Sequence, residues 1–109
     1  MVEKTKSFDE ILAEAVDEGL KTLGESGKHM IFFYLEKDFS LRKDEISKNP
    51  EALAQGLEKI FKAGASVLEK IIIEKLYLKL GLKYRERSNF SFIDYVKKAK
   101  EEVQKKPLM

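Results

Sequence analysis

The stretch 49–82 constrains this chain more than any other. It opens with Asn49-Pro50-Glu51. The Asn49 side chain can accept a hydrogen bond from a free N–H of a helix's first turn, and Pro50 suits the first helical position, where its missing N–H would be unpaired anyway. Behind them Leu53, Leu57, Ile60, Phe61, Leu68, Ile72, Leu76 and Leu80 recur at helical spacing. This is the scaffold of a helical domain, and it carries no recognisable catalytic group.

The rest of the chain is punctuated in the same way. Ser7-Phe8-Asp9-Glu10 is a capping box, in which serine and glutamate each satisfy an N–H of the other's backbone. It predicts a helix with Phe8, Ile11, Leu12, Ala15, Val16, Gly19, Leu20 and Leu23 on one stripe, closed by Gly24 as a left-handed cap. Ser26 opens a second helix over 29–37, reaching Phe39. A buried strand is the competing reading of Met30-Ile31-Phe32-Phe33-Tyr34-Leu35, and this density of bulky residues predicts burial on more than one side. Helix is favoured because Leu35 and Phe39 continue its spacing and no hairpin signal follows.

The connector 40–48 holds a short turn anchored inward by Leu41 and Ile46, and Asn49 before proline ends it. A third helix covers 50–63, after which Gly64 either breaks or kinks the chain. The segment 66–80 is apolar nearly all round, which makes it the central helix or part of a subunit interface. Leu76, Leu78, Leu80 and Leu82 also alternate as a short strand would, although Gly81 reads better as a helix cap. Ser91-Phe92-Ile93-Asp94 signals a last helix, with Phe90 stapled onto Tyr95. That helix turns Phe92, Ile93, Val96, Ala99 and Val103 inward and Lys97, Lys98, Lys100, Lys105 and Lys106 outward. The expected fold is all-α, a compact bundle of about five helices forming a single domain over 7–105, with frayed tails at 1–6 and 106–109.

Composition excludes several function classes. The chain has no cysteine, so disulfides, thiol catalysis and cysteine-ligated metal sites are ruled out. No apolar run approaches the ~20 residues of a membrane span, and Met1-Val2-Glu3-Lys4-Thr5-Lys6 lacks the apolar stretch of a signal peptide, so a cytoplasmic protein with no membrane partner is expected. A net charge of +2 on 37% charged residues describes a mixed surface rather than a basic one. Lysine and glutamate dominate while arginine, asparagine and glutamine are scarce, a bias shared with proteins of hot environments.

Several blocks in order resemble a known family: Phe8-Asp9-Glu10-Ile11-Leu12, Phe39-Ser40-Leu41 with Ile46, Asn49-Pro50-Glu51, Leu57-Glu58-Lys59-Ile60-Phe61, Gly64-Ala65, Val67-Leu68-Glu69-Lys70, and Glu74-Lys75-Leu76-Tyr77. Their arrangement over 8–96 resembles the small archaeal helical modules described as Nitrosopumilus output domains, found alone or at the end of signalling proteins. The resemblance implies a helical fold and a binding or output role. It supplies no functional residues.

Each candidate site has a bland alternative. His29 is the only histidine and has no partner set for zinc, so it reads as an ordinary helix-start residue. Glu14 and Glu18 share a helix face, and Glu69 with Glu74 and Glu101-Glu102 form other acidic pairs. The Glu-x-x-His motifs of di-iron bundles are missing, which makes these solvated surface and predicts neither a metal nor a cofactor. No phosphate loop or nucleophile motif is present, so no catalytic residue is assigned and the protein is expected not to be an enzyme.

The leading reading is a non-catalytic protein-interaction or signal-output module, a homo-oligomer or the partner of another protein, with Ile71, Ile73, Tyr77 and Leu78 as interface residues. The alternative is nucleic-acid binding through Lys79, Lys83, Arg85 and Arg87, beside Tyr84 and Phe90. A helix-turn-helix outline over 40–61 supports it weakly, because its second helix starts Glu51-Ala52-Leu53-Ala54-Gln55 with no cation to meet phosphates. A third reading is an enclosed apolar pocket between Phe32, Phe61 and Ile72.

Overall fold

The computed structural model describes residues 6–105, so the expected tails fall outside the described residues apart from Lys6. Helix α1 (Phe8–Leu20) starts as its capping box dictates: the Glu10 N–H donates to Ser7 Oγ at 3.1 Å, and the Ser7 N–H donates to the Glu10 carboxylate at 2.8 Å. It buries Leu12, Ala15, Val16, Gly19 and Leu20. The helix ends earlier than its apolar stripe suggests. A 3-10 turn, Lys21–Leu23, follows Leu20, and Gly24 at φ 87°, ψ 161° passes the chain directly into α2 (Gly24–Phe39). That ψ is extended, so Gly24 is a joint between helices and not a left-handed cap.

Helix, not strand, is the outcome for the bulky run, and Ser40 at φ 53° ends α2. The expected burial on several sides does not hold. Ile31 and Leu35 are buried and Phe32 and Phe39 partly so, whereas Met30, Phe33 and Tyr34 face solvent. Leu41 and Ile46 anchor the connector as expected, the latter from a 3-10 turn at Lys43–Lys48. This turn takes the place of the first helix that a helix-turn-helix requires.

Helix α3 (Pro50–Phe61) begins with the Ala52 N–H donating to Asn49 Oδ1 at 3.2 Å. The chain breaks after Phe61, and the residue that turns it is Lys62 at φ 54°, ψ −126°. Gly64, at φ −69°, lies in an ordinary helical conformation inside the 3-10 turn Lys62–Gly64. Helix α4 (Ala65–Leu80) follows and ends on Gly81 in the left-handed region at φ 72°, ψ 23°. Helix α5 (Phe92–Lys105) opens with Ser91 and Asp94 exchanging backbone and side-chain hydrogen bonds. Among the described residues there is no strand, so the alternation from Leu76 to Leu82 is helix running into a cap.

These five helices form one all-α unit with α4 at its centre, against α1, α3 and α5. The shortest dimension, 23 Å, corresponds to two layers of helices each about 10 Å across. The broadest contact is α1 on α4, and it depends on Gly19. A Cβ built there would sit 2.6 Å from Ile72 Cγ1 and 3.3 Å from Ile72 Cα, and Ile72 is wholly buried. Only a residue without a side chain lets the two backbones approach this closely.

Gly19→Ala gains about 1 kcal/mol of helix propensity but forces an over-packed contact that typically costs about 1–3 kcal/mol. Because the obstruction includes backbone as well as side chain, a net loss of stability is expected by denaturant unfolding. An unchanged midpoint would show that α1 and α4 separate freely.

Candidate functional site

The features that set this fold apart from a plain bundle lie where the chain leaves α4. Gly81 closes the helix, and the Leu82 N–H donates back to the Tyr77 carbonyl at 2.9 Å. From 82 to 91 the chain carries neither helix nor strand. This strap is nonetheless pinned. The Tyr77 hydroxyl donates to the Tyr95 carbonyl at 2.8 Å; the Tyr95 hydroxyl accepts the Arg87 N–H at 2.6 Å and donates to the Arg87 carbonyl at 3.3 Å. Tyr84 packs edge-on to Tyr77 with ring centres 5.9 Å apart and lies 5.5 Å from Tyr95, and the expected staple of Phe90 on Tyr95 is present at 5.0 Å. Burial, followed by the neighbouring Tyr95, pushes the Tyr84 hydroxyl up to about 12, and burial also raises Tyr77, so both stay neutral hydrogen-bonding groups.

The strap separates two clefts. One, of about 400 Å³, is lined by Lys83, Arg85, Arg87 and Lys98 over a wall of Phe90 and Tyr95. Lys98 is paired with Glu102 at 3.4 Å, while Lys83, Arg85 and Arg87 have no carboxylate partner among the described residues. The Arg87 guanidinium lies on the Phe90 ring, 4.9 Å from its centre. The second cleft, of about 350 Å³, is lined by Glu58, Glu69, Ile73, Tyr84 and Glu86 among others. One Glu69 oxygen is out of solvent contact and has no hydrogen-bond partner, although the carboxyl group as a whole is only partly enclosed. Desolvation, with the Glu58 charge from α3 as a second cause, raises the Glu69 carboxyl from 4.5 to about 7.

The sequence-derived candidates are sorted by this geometry. Lys83, Arg85 and Arg87 come together, but Lys79 does not join them. It faces α1, where its ammonium binds Glu18 at 2.7 Å and Glu14 at 3.5 Å, and the Glu18 hydrogen bond raises its pKa. Glu14 also pairs with Lys6, the main cause of its lowered pKa, so Glu14 and Glu18 belong to an ion-pair cluster rather than to freely solvated surface. Of the four expected interface residues, Ile73 and Tyr77 are buried within the chain and Ile71 is half-buried. Only Leu78, 80% exposed, is free to meet a partner, and the four do not form one face. Val103, expected inward, is 37% exposed. The His29 side chain is mostly solvent-exposed, 3.7 Å from Glu25. No group of three or more His, Asp or Glu side chains among the described residues is arranged to hold a metal ion. Phe32 lines a shallow apolar cleft with Ala13, Val16 and Ile46, which includes neither Phe61 nor Ile72.

Two features were not fully legible in the sequence. The apolar excess of 30–39 pointed to an interaction surface, but which of its residues stay exposed was hidden because both sides of α2 are apolar, which leaves its period almost silent. Glu69 looked like one of many surface glutamates; Val67 and Ile73 in the same segment were a signal that this face is not fully solvated, but its neighbour Glu58 comes from another helix. No protein-family model matches the chain, and no curated protein or solved structure matches it.

Because the folded-state pKa of Glu69 lies above its unfolded value, folding favours the protonated form. That contribution is fully present below about pH 4.5 and is lost as the pH rises through about 7. Glu69→Gln is therefore expected to raise the thermal midpoint relative to the parent at pH 8 and to leave it nearly unchanged at pH 4. A difference independent of pH would show that the carboxyl is solvated.

Proposed function

We propose that this chain is a non-catalytic interaction module that pairs with a second copy of itself through the outer face of α2. The observation that carries this reading is the stripe of Met30, Phe33 and Tyr34, which are 51%, 57% and 37% exposed. Aromatic residues and methionine are what protein interfaces concentrate. Phe33 and Tyr34 are already in edge contact at 5.8 Å, and Lys37 lies over Phe33, so the patch is partly ordered before any partner arrives.

A second copy suits this stripe because a twofold contact must be self-complementary. In an antiparallel pairing of two α2 helices centred near Phe32, Met30 of one copy lies opposite Phe33 and Tyr34 of the other. Helical spacing puts His29 and Glu36 together on one flank, so the same pairing sets His29 against Glu36 of the second copy and Ser26 against Lys37. The order of sequence blocks that resembles archaeal output domains fits a module that transmits by association. The lysine- and glutamate-rich composition and the absence of cysteine suit a reducing, warm cytoplasm.

The stripe is one helix wide, so the interface belongs to the small class that gives weak, concentration-dependent complexes. Light scattering at two concentrations and two salt levels is expected to show a mass rising toward the dimer with concentration. The double variant Met30→Glu, Phe33→Glu is expected to stay monomeric with its helix content unchanged. A parent protein that is monomeric at every concentration, or a variant that still dimerises, overturns the reading.

A further inference from the structure

The cleft beside the strap has a chemistry that self-association does not use and shares no residue with the α2 stripe. Its basic wall arises from a simple local device. In segment 83–86 successive side chains alternate: Lys83 and Arg85 line the larger cleft and Tyr84 and Glu86 the other, while Arg87, at the end of the run, borders both. In extended chain, residues two apart are about 6.5–7 Å apart, close to the separation of successive phosphates along an unstacked nucleic-acid strand. Glu86, the one acid within this run, points to the far side and is engaged by Lys70 at 3.4 Å. Across the cleft, Lys98 adds a cation from α5 that Glu102 offsets. The row is thus three cations with no carboxylate within 4 Å among the described residues, on a chain whose net charge is only +2.

Two further observations separate this row from ordinary surface lysine. The Arg87 backbone is clamped in both directions by the Tyr95 hydroxyl, and its guanidinium carbon lies over the Phe90 ring, 4.9 Å from the ring centre. A guanidinium held over one ring has a face left for a base, and stacking on arginine planes is a common way of holding unpaired bases. The cleft volume, about 400 Å³, suits a single base with its sugar and not a duplex groove wall. From these placements we infer that the cleft between the strap and α5 binds single-stranded nucleic acid, with successive phosphates along Lys83, Arg85 and Arg87 and one base on the outer face of the Arg87 guanidinium.

The test is fluorescence anisotropy of the full chain with a labelled single-stranded twelve-nucleotide DNA and the same RNA. The parallel arms are the matching duplex, a mononucleotide and inorganic phosphate. Three neutralised phosphates predict a log–log salt dependence with a slope of about −2 between 50 and 200 mM salt. Arg85→Gln, at an exposed position, is expected to weaken binding about threefold to tenfold and to flatten that slope by about one third. Arg87→Lys keeps the charge but removes the planar stacking surface, and is expected to weaken the oligonucleotide without flattening the slope. Lys59→Gln on α3, also exposed, is expected to change neither. The inference is overturned by no binding at 50 mM salt, by equal loss in Lys59→Gln and Arg85→Gln, by duplex bound as tightly as single strand, or by mononucleotide or phosphate bound as tightly as the strand. Circular dichroism of each variant establishes that an altered affinity is not a folding defect.

Discussion

Everything else in this structure hangs on the close approach of α1 and α4 at Gly19 and Ile72. Two helices approach closely where one presents backbone to the other's side chain, and Gly19 does so against the wholly buried Ile72. With α4 held there, its other sides become available to α3 and α5, and the bundle has a centre. Gly56 repeats the device on a smaller scale, facing Leu35 of α2 so closely that an added Cβ would fall 2.4 Å from it. Both contacts trade helix propensity for packing, because the area they bury outweighs the modest cost of an interior glycine.

A fixed α4 also decides where its C-terminal end points, and so where the strap begins. The tyrosines on α4 and α5 then do two things with one set of groups. Their rings fill the space under the strap; the Tyr77 hydroxyl ties α4 to the Tyr95 carbonyl of α5, and the Tyr95 hydroxyl satisfies the strap's Arg87 backbone, which would otherwise carry unpaired polar groups. Once the strap is held, its alternation becomes a sorting of charge. Lys83 and Arg85 go to one side with Arg87 bordering both, while the opposite side holds a carboxyl that folding has partly removed from water. Irregular chain laid over a rigid floor is a common place for binding chemistry, because position is set by the scaffold and side chains are left free.

Helix α2 is related to the core differently. Ile31 and Leu35 bury one side and the opposite side keeps its aromatic residues in solvent. Lys28, although almost entirely covered, is held by Asp17 at 3.1 Å and Glu25 at 3.4 Å, so its charge is matched where the helix meets α1. The result is a helix well anchored along one edge with an apolar surface along another, as an interaction surface requires.

The amino-acid sequence by itself determined the fold class and most helix starts and stops. Ser7 with Glu10, Asn49 with Pro50, Gly81, and Ser91 with Asp94 all act within a few residues of themselves, and such local hydrogen bonds and backbone preferences can be read without knowing what lies across the core. Only the tertiary structure decided which apolar residues would be spent inside. Ile73 and Tyr77 were as plausible for a partner as Phe33 and Tyr34, and the docking of α5 and α3 on α4 buried the first pair and left the second exposed. Charge followed the same rule: Lys79 and Lys83 look alike in sequence, but the first meets Glu14 and Glu18 of a distant helix and the second faces an open cleft. A helix end is settled by its neighbours in the chain, whereas the use of a side chain is settled by its neighbours in space.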